Sequence, residues 1–243
     1  DAGGSTASTS AAAAGGLEDV LFVGNNWDGT IDVVEDEGQM HRLGRINAVP
    51  DYHQRLTEIA FNPIHWPVFL YIRHTAGEGH DQLVDDVYSA KDGRHVVVSR
   101  PSFRDVVSID TVTGKIAWRY KLTGFRADHM ALSPDGSRVL FSSDKDGNPE
   151  IYLSTGGGAA QRLTNHPMAD IAPSWAPDGQ SFLFTSDRNG NNRPQIYRYR
   201  FATRSIEQVS RGGSYNTSGR ISSDGKKMSF LSGTQQGAVM DLI

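Results

Sequence analysis

YSAKDGRHVVVSR (88–100), ALSPDGSRVLFSSD (131–144), SWAPDGQSFLFTSD (174–187) and RISSDGKKMSFLSG (220–233) are four copies of one phrase, an Asp-Gly pair followed by an apolar run. The anchors are Asp92, Asp135, Asp178 and Asp224, so the phrase returns after 43, 43 and 46 residues. Asp-Gly reverses a chain readily, because glycine enters the positive-φ turn conformation without a Cβ clash. The run that follows is rich in Val, Leu and Phe and has the length of a short strand. A period in the forties built on such strands is the pattern of propeller blades, each of about four antiparallel strands. The expected fold class is all-β: a β-propeller of five four-stranded blades, or six if the irregular stretch at about 50–84 conceals blade strands.

Upstream of the repeats, DVLFVGN (19–25) and GTIDVVE (29–35) alternate apolar and polar residues around Asp28-Gly29, which signals a hairpin. MHRLGRI (40–46) supplies a third strand of an incomplete first blade. Residues 50–84 break the rhythm. Leu56, Ile59 and Ala60 fall at helical spacing, as do Phe69, Leu70 and Ile72 less regularly, while Pro63 and Pro67 would interrupt any single helix. The stretch therefore reads as a short helical insertion lying over one face of the ring. The last repeat supplies SYNTSGRIS, KMSFLS and AVMDLI but no fourth strand. Two partial blades can close a ring, stay separate, or leave an open blade edge that favours self-association. The domain plan is a low-complexity linker or tail at 1–16 and a single propeller domain at 17–243.

The 243 residues hold 24 Lys+Arg, 28 Asp+Glu and no cysteine. Residues 1–130 carry 12 basic against 18 acidic residues, and residues 131–243 carry 12 against 10. That balance lacks the basic footprint of a nucleic-acid grip. Without cysteine there is no thiolate nucleophile, no disulfide and no Cys-based zinc site. No run of apolar residues is long enough to span a membrane. No G-x-S-x-G elbow is present, and the glycine runs at 156–158 and 212–213 lie between strands, so they are not phosphate loops.

SPDGSRVLFSSDKDGNPEIYLS, QRLTNHPMADIAPSWAPDGQSFLFTSDRNGNNRPQIY and ISSDGKKMSFLSG, within about 131–237, resemble the β-propeller domain of TolB, the periplasmic Tol-system protein. The pattern is shared with the propellers of prolyl-oligopeptidase-type peptidases and oligogalacturonate lyases. LEDVLFVGNNWDGTIDVV and GEGHDQLVDDVYSAKDGRHVVVSRPSFRDVVSIDTVTGKIAWRY, within about 17–136, are instead similar to secreted YncE-like (YVTN-type) propellers; DTVTG (110–114) resembles that group's Asp-x-x-Thr-Gly turn. The two resemblances meet in ALSPDGSRVLFSSD, which suggests a hybrid propeller, engineered from fragments or shuffled naturally. What they imply is a periplasmic or secreted, non-catalytic binding or scaffold module. For the TolB part, the implied partner is a protein or peptide, in that family a peptidoglycan-associated lipoprotein. An engineered hybrid need have no native ligand.

Counting back seven or eight residues from the anchors gives Asp85, Asp128, Asp170 and Asn216, with Asp86 beside Asp85, His129 beside Asp128, and His80-Asp81 slightly earlier. These residues are expected at the mouth of the central channel. A ring of carboxylates there suits a hard cation such as Ca²⁺ or a cationic partner loop. The same residues equally suit bonds to turn N–H groups. A competing class is a lyase- or hydrolase-like propeller enzyme using His80, Asp81, Asp128 and His129, but no H-x-H or H-E-x-x-H spacing supports a metal site. DKDGN (144–148) and DRNGN (187–191) lack the register of a calcium loop and read as hairpin turns. Apart from Ca²⁺, no cofactor is expected. Trp118 and Trp175 are expected between blades, and Trp66 as the exposed aromatic.

Overall fold

In a computed structural model of the chain, residues 19–75, 78–90, 92–122, 130–212, 215–234 and 237–242 are described. The four Asp-Gly anchors fold alike. Gly93, Gly136, Gly179 and Gly225 have φ of 64°, 74°, 66° and 73°. The Oδ1 of Asp92, Asp135, Asp178 and Asp224 accepts the backbone N–H two residues on, from Arg94, Ser137, Gln180 and Lys226. The repeat is thus a turn that only a short acceptor followed by glycine can make.

Each turn joins the first and second strands of an antiparallel sheet. The second sheet runs in the order β4 (Val87–Ser89), β5 (His95–Arg100), β6 (Asp105–Asp110), β7 (Ile116–Lys121). The third holds β8 (Met130–Leu132), β9 (Arg138–Ser143), β10 (Glu150–Thr155) and β11 (Gln161–Arg162). The fourth holds β12 (Asp170–Trp175), β13 (Ser181–Ser186), β14 (Gln195–Arg200) and β15 (Ser205–Gln208). Two three-stranded sheets flank these: β1 (Val20–Asn25), β2 (Thr30–Glu35) and β3 (Arg42–Asn47) before them, and β16 (Tyr215–Ile221), β17 (Met228–Thr234) and β18 (Gly237–Leu242) after them. The fold is the expected all-β propeller of five blades.

Buried apolar clusters stack each blade on the next. Ile31 and Ala48 meet Val96, Val98, Val107 and Ile109 between the first and second sheets. Val97 and Val106 meet Met130, Val139, Phe141 and Tyr152 between the second and third. Leu140 and Ile151 meet Trp175, Phe182 and Tyr199, and Leu183 and Ile196 meet Phe230. Trp175 also donates its indole N–H to Ala131 O at 2.9 Å, so it lies between blades as expected. Among the described residues no such cluster joins the fifth sheet to the first.

The stretch from 50 to 84 forms two helices, α1 (Tyr52–Ala60) and α2 (His65–Thr75). Pro63 lies in the connection. Pro67 sits in the first turn of α2, where a missing N–H costs no helical bond. The pair closes over Phe103 with Ile59, Phe69 and Leu83, all nearly sealed from solvent. Because α1 and α2 join β3 to β4, they lie at the end of the ring where the first strands begin. The Asp-Gly turns lie at the opposite end.

Candidate functional site

Of the residues expected at the channel mouth, Asp85, Asp170 and Asn216 lie at the helix-bearing end, and the strand register shows what they and their neighbours bond. Asp86, one residue beyond Asp85, comes opposite Ser99: its N–H donates to Ser99 Oγ at 2.9 Å. Its Oδ2 accepts the N–H of Met130 at 2.7 Å, tying the second blade to the third. The matching residues are Asp170, paired with Ser186, and Asn216, paired with Ser232. Asp85 is exposed, and its N–H donates to Ser99 O.

Asp170 is fully buried, and Arg188 Nη2 lies 2.8 Å from its Oδ2. Burial pushes its carboxyl above the ordinary value, against the pull of Ser186 and Arg188. The Arg188 guanidinium in turn lies over Phe184 and Tyr197, 5.1 and 4.9 Å from the ring centroids. Asn216 is 1 % exposed and donates Nδ2–H to Gln195 Oε1 at 2.7 Å and to Gly212 O at 2.9 Å. Asp170 is thus tied within its own blade, whereas Asn216, on the fifth blade, is tied to Gln195 of the fourth.

His80 is exposed and stacks on Trp27, with centroids 4.2 Å apart and planes 11° from parallel. Asp81 accepts the Tyr52 hydroxyl at 3.3 Å and lies 3.7 Å from Arg73 Nε. Burial and the Asp81 charge push the Tyr52 phenol upward. Asp128 and His129 lie outside the described residues. Among the described residues, no three His, Cys, Asp or Glu side chains cluster closely enough to hold a metal ion.

A second ring of positions escaped the sequence reading. Asp105, Glu150 and Gln195, spaced 45 residues apart, each open the third strand of a blade and are buried. Glu150 accepts Thr164 Oγ1–H at 2.6 Å, His166 N–H at 2.7 Å and Arg162 Nη2–H at 2.8 Å. Gln195 Oε1 accepts Ser210 Oγ–H and Asn216 Nδ2–H. Asp105 is bridged by Arg100 at 2.8 Å to each carboxylate oxygen, with Arg55 Nε and Arg119 Nε at 3.3 and 3.4 Å. Arg100 also donates Nη1–H to Asp51 at 2.7 Å and to Ala48 O at 3.1 Å, and Arg119 bonds Asp51 too. Burial alone would raise the Asp51 carboxyl, but Arg100 and Arg119 hold it below the ordinary value. This ionic knot seats α1 on the second blade. The even spacing was a usable signal.

Large apolar side chains are exposed at this end as well. Trp27, Phe61, Ile64 and Tyr71 are 56 %, 86 %, 69 % and 67 % exposed, on the β1–β2 turn, the helices and their connection. Trp66, at 37 %, stacks on Phe69 and is less open than Trp27.

Residues 104–242 match the TolB beta propeller domain family. The chain belongs to this family. The structure of TolB from Acinetobacter baumannii is 29 % identical, with a TM-score of 0.51 over 65 % of this chain and 41 % of that one. A TolB homologue from Agrobacterium tumefaciens superposes with a TM-score of 0.64, covering 92 % of this chain and 77 % of that one at 17 % identity. Hydrazine synthase of Kuenenia stuttgartiensis gives 0.58 over 92 % and 58 % at 13 % identity. These last two show the fold alone. Tricorn protease homolog 1 of Streptomyces coelicolor is 37 % identical over 62 residues, which is 25 % of this chain and 6 % of the relative. The chain thus spans a small part of that curated relative and under half of the Acinetobacter TolB.

Proposed function

We propose that this TolB-family propeller is a non-catalytic binding or scaffold module whose helix-bearing end receives a protein or peptide segment. The observation that carries the reading is the set of exposed apolar side chains at that end, Phe61, Ile64, Tyr71 and Trp27. Large apolar groups concentrated beside polar, structurally committed neighbours mark interaction surfaces more often than active sites. An ion at the channel mouth, bound through Asp85, Asp128 and Asp170, is the lesser part of the same proposal. So are a periplasmic setting, a YncE-like first half in a hybrid or engineered chain, and self-association at a blade edge. The catalytic alternative has less support, since His80 is engaged with Trp27 and Asp81 with Arg73 and Tyr52.

A displayed library of random peptides, selected on the whole protein, tests the proposal. Peptides enriched on the wild type should lose binding to a Phe61→Ser, Ile64→Ser, Tyr71→Ser triple variant with an unchanged circular dichroism spectrum. Enriched peptides that bind both proteins equally, or no enrichment at all, would overturn it.

A further inference from the structure

At the opposite end, two neighbouring inter-blade clefts share an Asp-Gly anchor turn as one wall and differ in the side chain that reaches it; the cleft between the third and fourth blades, about 200 Å³, is crossed by an arginine. Between the third and fourth blades the bridge is Arg138, three residues after anchor Asp135. Its Nη2–H donates to Gly179 O at 3.1 Å, and its guanidinium lies 4.5 Å over the Trp175 ring and 5.5 Å over Phe201. The side chain thus crosses from one blade to the anchor turn of the next and caps an aromatic ring.

The same position in the second blade, three residues after anchor Asp92, is His95. Imidazole is shorter than the arginine side chain, and here it turns back on its own anchor: Nδ1 lies 2.6 Å from Asp92 Oδ2. Among the described residues, no hydrogen bond or ion pair carries the His95 side chain across to the third blade. A cleft of about 160 Å³ remains, lined by Asp92, His95, Trp118, Asp135 and Gly136 among others. Asp135 and Gly136 are the repeat counterparts of Asp178 and Gly179, the turn that Arg138 contacts one blade further on.

We propose that this cleft between the second and third blades binds a guanidinium group, the side chain of an arginine in a partner peptide, held to the anchor turn as Arg138 is held in the next cleft. The aromatic wall is the Trp118 indole, which comes from the outer strand of the second blade because Leu132 stands at the position of Trp175, and the Gly136 carbonyl is the acceptor that Gly179 supplies to Arg138. The Asp135 carboxylate accepts Ser133 Oγ–H and Ser137 N–H on Oδ1. Those bonds hold its carboxyl down at about 2, so it stays charged at neutral pH. Guanidinium suits this set better than ammonium, because it is planar, weakly hydrated and able to stack and donate at once. The site is separate from the helix-bearing end and does not depend on the reading given for that end.

The test titrates the full chain with acetyl-Gly-Arg-Gly-amide and with its lysine and citrulline counterparts. The readout is the Trp118 indole N–H resonance, assigned with Trp118→Phe. The expected result is saturable binding of the arginine peptide with Kd on the order of 1 mM, about tenfold weaker for lysine and absent for citrulline. His95→Arg, which brings a competing guanidinium to the Gly136 turn as Arg138 reaches Gly179, should abolish binding while the fold is kept. Asp135→Asn should weaken it about tenfold. Asp224→Asn, at the fifth blade's anchor, should leave it unchanged. Absence of saturable binding, equal binding of all three peptides, or full binding by a folded His95→Arg overturns the proposal. So does an equal loss in Asp224→Asn, which traces the effect to the fold rather than the cleft.

Discussion

Asp105 is a carboxylate sealed from solvent among Arg55, Arg100 and Arg119, and Arg100 beside it is sealed as well. Removing one member of such a knot leaves the other's charge buried without its partner. Asp105→Ala is therefore expected to cost about 3–5 kcal/mol in urea unfolding. Asp105→Asn, which keeps the shape and part of the hydrogen bonding, should cost less. Equal costs would show that the charge is not what matters. A different residue-scale effect governs acid stability. The Asp110 carboxyl is held at about 2 by the Thr113 N–H and Arg94, and that of Asp135 at about 2 by Ser133 and Ser137, against an ordinary 3.8. Each is depressed in the folded state, so its contribution is present above the unfolded value and lost as pH falls through about 2. The wild-type melting temperature should fall between about pH 4 and pH 2, and an Asp110→Asn, Asp135→Asn variant should fall less across that window. Parallel curves would contradict the assignment.

At the scale of elements, α1 and α2 form an annex with its own small core of Ile59, Phe69, Leu83 and Phe103. Ile59→Ala should cost about 2–5 kcal/mol, with the loss concentrated in that annex. Hydrogen exchange should show faster amides in α1 and α2 and unchanged amides in β12 to β15; uniform acceleration would mean that the helices and blades unfold as one unit. The strands were legible because the Asp-Gly turn announces itself in four places and the apolar runs after it are strand-long. The helices were legible from Leu56 and Ile59 and from the two prolines. The channel register was less so. Inner strands β12 and β16 carry bulges, with Ala172 and Ser218 at φ of 53° and 57°. A fixed count back from the anchors therefore lands on the serine-paired Asp170 and Asn216 in the bulged strands, while before β4 the serine-paired residue is Asp86, one beyond Asp85. The ionic knot was not legible at all, because Asp51 and Arg100 meet across 49 residues and only the docked helix brings them together.

Across the whole molecule, five blades are stacked in chain order, and chemistry divides between the two ends of the ring. One end holds the helices, the buried ion pairs and the exposed Trp27, Phe61, Ile64 and Tyr71. The other holds the repeated turns and the cleft beside His95. The sequence could place residues at an end, since strand direction follows from the repeat. It could not show that Asp170 would be spent on Arg188, which the β13–β14 turn folds back to it, or Asn216 on Gln195, which depends on how the fourth and fifth blades meet. The same geometry moves the weight of the functional reading from the channel carboxylates to the helical annex. The most direct measurement is hydrogen exchange of the whole protein with and without a peptide selected on it. Protection confined to residues 26–30 and 52–75 is the result expected for binding at the helix-bearing end. Protection confined to the turns at 92–94, 135–137 and 178–180, with the helices unchanged, would contradict it.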